Sequence, residues 1–151
     1  MWVVVNIIRI LLAVLALRSN RWAYVAFMML GLLYFPLRVN FRFDPHPCEL
    51  VFGAPLAIYS LTNFPHIVLF ALGYILTAAQ FQLTKWSSFL WSAGLILFFG
   101  ALVEILEGVT GQGHCRARDL IPDAAGALIG ALIVLALYRI GWRPRPRWSG
   151  L

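Results

Sequence analysis

Three stretches of this chain, residues 64–81, 86–106 and 120–140, carry almost no charge and are long enough to cross a bilayer. A membrane-spanning helix needs about 20 mostly apolar residues, with about 17 as the lower limit. Hydrocarbon offers the backbone no hydrogen-bond partner, so such runs are confined to helices that satisfy themselves. Two further segments are weaker candidates. Residues 22–37 are short and closed by Pro36. Residues 1–17 carry Asn6 and Arg9, which also suits a helix lying in the interface. The expected fold is all-α: a polytopic membrane helix bundle of four to five spans. Composition agrees, because 62% of the residues are apolar and 12% are charged. Ordinary soluble domains sit at about 45–50% apolar and about 25% charged.

The same composition narrows the partners. The net charge of +6 is scattered over short connections and one tail, so it reports membrane topology and not nucleic-acid binding. Residues 2–8 lack a basic flank, and Arg9 interrupts the apolar run, so the N-terminus is expected to be retained and not cleaved as a signal peptide. Residues 1–142 form the expected transmembrane domain. Residues 143–151 form a basic Pro/Arg tail, extended because Pro144 and Pro146 forbid a helix. With that tail in the cytoplasm, the inner side holds Arg18, Arg21, Lys85, Arg139, Arg143, Arg145 and Arg147. The outer side holds only Arg38, Arg42, Arg116 and Arg118. The opposite orientation reverses this bias.

In the preferred orientation all six acids fall at outer loops or outer span ends, and so do His46, His66 and His114. Inner arginines follow from topology, but topology does not require every acid and histidine to lie outside. The segment 104–133, "EILEGVTGQGHCRARDLIPDAAGALIGALI", concentrates this chemistry. Glu104 and Glu107 are three apart and share one helix face. Asp119 and Asp123 begin the last span, where they can cap it and meet its positive end. Pro122 between them is tolerated in a first turn. The face 119, 123, 126, 130 then continues with Gly126 and Gly130, a spacing that lets a neighbouring helix approach closely. The bland alternative is that these carboxylates only stabilise a helix start and pair with nearby arginines. Glu104 lies just inside the bilayer edge, where an ionisable group is a functional candidate by default.

Upstream, residues 38–63 contain Pro45, Pro47, Pro55 and Gly53. They read as an irregular loop followed by a short apolar piece in the interface or a re-entrant turn. Cys48 and Cys115 both fall in outer loops, beside His46 and His114. If the loops meet, the cysteines can form a disulfide or, with the two histidines, a Cys2His2 metal site. Otherwise they are free thiols. The spacings match no known metal module, so no metal and no cofactor is expected.

The segment resembles the VanZ-like family of small membrane proteins, which is linked to teicoplanin resistance. The family signature runs, loosely, E-x-x-Q, a loop with an Arg, then D-x-x-x-N-x-x-G-x-x-x-G. Glu104, Asp119, Gly126 and Gly130 match it at family spacing, and "HIVLFALG", His66 to Gly73, matches the central span. Glu107 stands where the family has Gln and Asp123 where it has Asn. The family's loop Arg would fall near Gly113, so Arg116 or Arg118 would have to serve. The resemblance covers residues 63–131, about half the chain. It implies a bacterial inner-membrane protein with a possible link to glycopeptide resistance, but not a defined reaction.

Three functions fit these residues. The first is an outer-face polar site for an envelope ligand, such as a lipid-linked cell-wall precursor or a lipid headgroup. Arg116 and Arg118 would meet phosphate or carboxylate, while Glu104, Glu107, His66, Asp119 and Asp123 orient the rest. The second is a non-catalytic accessory subunit of a larger membrane complex. The third is a membrane enzyme acting on a headgroup through His66 and its carboxylates, although no HExxH, GxSxG or phosphatase-style run is present.

Overall fold

The computed structural model of the protein describes residues 21–34, 45–51, 53–81, 86–111 and 115–139. Residues 1–17, His114 and the Pro/Arg tail lie outside the described residues. Five helices are described: α1 (Arg21–Tyr34), α2 (Ala54–Ser60), α3 (Phe64–Ala78), α4 (Trp86–Thr110) and α5 (Leu120–Arg139). A single 3-10 turn, Ala117–Asp119, leads into α5. The described residues are otherwise turns and short extended pieces, with one isolated bridge between Glu49 and Arg116.

Local sequence explains where each helix begins and stops. Pro55 and Pro65 sit in the first turns of α2 and α3, where a missing N–H costs nothing. Between them the chain turns through residues 61–63, closed by Thr62 N–H to Tyr59 O and Asn63 N–H to Ser60 O, both at 3.0 Å. The two helices are bent by 69° at this break. This is the short apolar piece that the prolines foreshadow. Helix α4 ends at Gly111, whose φ of 63° is the left-handed conformation that glycine adopts without strain after a helix C-terminus.

Two helical segments, Trp86–Thr110 and Ala117–Arg139, are long and apolar enough to cross a membrane. The bent α2–α3 pair brings the number to three if it is one span. The expected span at residues 22–37 is the shorter helix α1, apolar over Arg21–Leu32 and below spanning length. Apart from Glu104, Glu107 and Asp123 at one end and Arg139 at the other, helices α4 and α5 carry no charge, and Trp91, Phe98, Leu128 and Leu132 point outward. Such faces suit contact with lipid.

The core lies where α3, α4 and α5 meet, around Phe70, Tyr74, Ile96, Ala127 and Val134. The α3–α5 contact is the most extensive, and glycine makes it so. A Cβ added at Gly130 would lie 2.6 Å from the Ala71 carbonyl oxygen, and one at Gly126 would collide with the Ile67 carbonyl. The glycine stripe is therefore filled from within the chain, by α3. Buried hydroxyls are satisfied along their own helices: Thr77 donates to Gly73 O at 2.8 Å and Ser92 to Ser88 O at 2.8 Å. Because the single Thr77 proton is used there, Tyr24 donates its own proton to Thr77 Oγ1 at 2.7 Å, tying α1 to α3.

Candidate functional site

The start of α3, the end of α4 and the start of α5 lie at the same end of the bundle, joined by side chains from all three. The close approach over Gly126 and Gly130 lays the first turn of α3 on the first turn of α5. His66 Nδ1–H then donates to Asp123 Oδ1 at 2.8 Å. Asp123 is 1% exposed, and its other oxygen lies against Gly100 of α4, where a Cβ would come within 2.7 Å of Oδ2. An ionised carboxylate can only accept, so Asp123 holds the proton on Nδ1, and in the neutral imidazole Nε2 is then the acceptor. The imidazole also stacks on Phe70, with ring centroids 6.3 Å apart.

Glu104 stands one turn beyond Gly100 on α4. It is 6% exposed. Its Oε2 accepts the backbone N–H of Arg116 at 2.7 Å, a length typical of charge-assisted bonds. Glu104 and Asp119 are within electrostatic reach of His66. Asp119 ends the 3-10 turn, whose N–H bonds to Arg116 O at 2.8 Å.

A second chain segment covers this end. Cys48 and Cys115 form a disulfide. Around it Glu49 N–H donates to Cys115 O at 2.9 Å, Ala117 N–H to Glu49 O at 3.1 Å, and His46 N–H to Gly108 O at 3.0 Å. The Glu49 carboxylate lies 3.5 Å from Arg116 Nε and 3.7 Å from one terminal nitrogen of Arg118. Beneath the sulfurs, Gly108 has no room for a side chain: a Cβ there would be 2.9 Å from Cys48 Sγ. A cleft of about 360 Å³ opens beside this clamp. His46, Glu49, Glu107, Gly111 and Arg116 are among the residues that line it. Helix α2 packs against the 3-10 turn. The buried Ser60 hydroxyl at its end has no partner among the described residues.

The sequence-derived candidates thus fall into linked groups. His66 pairs with Asp123, and Glu104 pairs with the Arg116 backbone. Glu107 lines the cleft, Arg116 and Arg118 face Glu49, and Gly126 and Gly130 pack on α3. With both sulfurs in a disulfide, a Cys2His2 arrangement is closed to them. Among the described residues no group of three His, Cys, Asp or Glu side chains is placed to hold a metal ion. Glu49, Gly100 and Gly108 were not singled out by the sequence. Glu49 could have been, because pairing the cysteines puts residue 49 beside residue 116. Known proteins supply no parallel: no protein-family model, curated protein or solved structure matches the chain.

Proposed function

We propose that this chain is a VanZ-like integral membrane protein of the bacterial inner membrane that binds a polar envelope ligand at its disulfide-bearing end. A lipid-linked cell-wall precursor or a lipid headgroup has the right chemistry and depth. In this reading that end faces outward, the C-terminus is cytoplasmic, and α1 and residues 1–17 bring the bundle to four or five spans. The observation that carries the proposal is that His66–Asp123, Glu104 and the Arg116–Arg118 pair gather at one end of the bundle, where Glu49, Glu107 and Arg116 line a disulfide-clamped cleft. Charges that served only as interfacial anchors would have no reason to be buried together. Burying ionisable groups is costly, and in a membrane setting they mark functional sites by default.

A second reading, an enzyme acting on the headgroup, is favoured by one detail. Asp123 orients His66, and the neutral ring then presents Nε2 as an acceptor, the arrangement of a general base. The accessory-subunit reading loses one support, since the α5 glycines pack on α3 and not on an outside partner.

The test uses Glu104→Gln, Asp119→Asn and Arg118→Lys. Ligand-binding residues give variants that accumulate and melt like the parent yet lose binding of a labelled lipid-linked precursor, or lose teicoplanin resistance. Arg118→Lys keeps charge but loses the planar fork, so a phosphate site weakens while a merely topological arginine does not. Normal binding by all three well-folded variants would overturn the proposal.

A further inference from the structure

We infer that Arg116 and Arg118 form a site for a phosphate group and that the Glu49 carboxylate is its internal occupant, displaced when the ligand arrives. The inference rests on the ligand-binding reading of this end of the bundle and specifies its chemistry and its regulation.

Two guanidinium groups converge on one carboxylate from one side of the chain, with Glu49 Oε2 on Arg116 and Oε1 on Arg118. Two cations around one two-oxygen anion is the layout of an anion site. The occupant fits loosely. Its separations of 3.5 and 3.7 Å exceed the 2.7–2.9 Å or so of a well-made charged pair. The Glu49 side chain is 43% exposed, while that of Arg118 is 15% exposed. Arg118 is the held cation, Arg116 is 35% exposed at the cleft, and the carboxylate has room to swing towards solvent. Its backbone has none, because the disulfide and the hydrogen bonds to Cys115 and Ala117 fix residue 49. Displacement therefore requires only side-chain rotation towards solvent.

The cleft gives the ligand its way in, since Glu49 and Arg116 both line it. The Glu49 occupant also sets a selectivity. A single carboxylate ligand offers nothing that Glu49 does not already supply at high local concentration. A terminal phosphate (a phosphomonoester) carries nearly twice the charge and three acceptor oxygens, so it out-competes the resident group, which a singly charged phosphodiester does not.

The experiment measures phosphate binding to the full-length protein in detergent by calorimetry, with inorganic phosphate in one arm and short-chain phosphatidic acid in the other. Glu49→Gln and Glu49→Ala are each expected to bind about three- to tenfold more tightly than the parent, the range that loss of weak, partly exposed ion pairs permits. Adding Arg118→Lys to either variant should abolish the gain. Gain with free phosphate in both variants assigns the site to the phosphate group itself, whereas gain only with phosphatidic acid assigns it to a lipid headgroup. If the parent and both variants bind equally, the internal-occupant inference falls and the ligand-binding reading stands. If none binds either probe, the phosphate chemistry falls as well.

Discussion

His66 Nδ1 and Asp123 Oδ1 are 2.8 Å apart, and each residue is in the first turn of a different helix. The bond spans 57 residues of sequence and is possible only because glycines let α3 and α5 touch. It therefore links the packing of the bundle to the chemistry of the site.

That linkage has an energetic signature. His66→Ala removes the hydrogen-bond partner that the described residues supply to a carboxylate that is 1% exposed, so it should destabilise more than Asp123→Asn, which keeps size and an acceptor oxygen. Loss of a hydrogen bond to a charged group costs about 1.5–3 kcal/mol in water-soluble proteins and about 0.6 kcal/mol on average between membrane helices. We expect about 1 kcal/mol of coupling in a double-mutant cycle read from thermal unfolding in detergent. Strictly additive single mutants would mean that the contact contributes nothing of its own.

The helix interface makes an internally controlled prediction. Gly126→Ala and Gly130→Ala drive a methyl group into α3 carbonyl oxygens. Backbone atoms cannot step aside, so each should cost about 1–3 kcal/mol, the usual penalty of overpacking. Gly94, on the exposed side of α4, has nothing within 4 Å of its added Cβ. Gly94→Ala should leave stability unchanged or raise it by up to about 1 kcal/mol through helix propensity. Equal effects at all three positions would show that glycine matters here for flexibility and not for close packing.

The helical core was legible in the sequence because lipid-length apolar runs leave the chain few choices. The spacing of Gly126 from Gly130 is that of one helix face, and both glycines pack on α3, whereas Asp119 lies in the 3-10 turn before α5 and not within that helix. What lay beyond reach was long-range. Which helix would fill the glycine stripe depends on tertiary packing, and it is α3. That Glu49 faces Arg116 and Arg118 depends on pairing residues 45–51 with 115–117, which sequence alone left open because the two cysteines had three possible fates. The sequence also pointed to the Arg116 guanidinium for ligand contact, whereas Glu104 is held by the Arg116 backbone N–H, a group present at every residue except proline and so invisible to motif reading.

The orientation is open to direct mapping. Lysines and arginines accumulate on the side opposite the disulfide in the preferred topology. Single-cysteine labelling in a Cys48→Ala, Cys115→Ala background should find a cysteine at position 111 reactive to an impermeant reagent from outside the cell. A cysteine at position 151 should react only after permeabilisation. The reverse pattern would turn the proposed site towards the cytoplasm, where lipid-linked precursors are still being assembled and a disulfide would be exposed to reductants.

The clamp itself supplies the last prediction. The Cys48–Cys115 bond closes a segment spanning 67 residues, for which chain-entropy reasoning gives about 4 kcal/mol and common experience about 2–4 kcal/mol. The lower figure is expected here, because membrane helices keep their shape when tertiary contacts are lost and the reference state is already constrained. Paired Cys48→Ala and Cys115→Ala should therefore lower stability by about 2 kcal/mol. The double variant should also loosen residues 45–51, detectable as faster proteolysis near Pro47. Gly108→Ala approaches the same clamp from below. Its added methyl group would sit 2.9 Å from Cys48 Sγ and 3.3 Å from Cys115 Sγ, so the sulfurs must shift or stay apart. Mass mapping after alkylation without reduction should find Gly108→Ala with a larger free-thiol fraction than the parent, while Gly94→Ala keeps the parental fraction. Full oxidation of Gly108→Ala with unchanged stability would show that the loop carrying Cys48 yields easily, and the cleft beside it would then be a soft surface and not a clamped one.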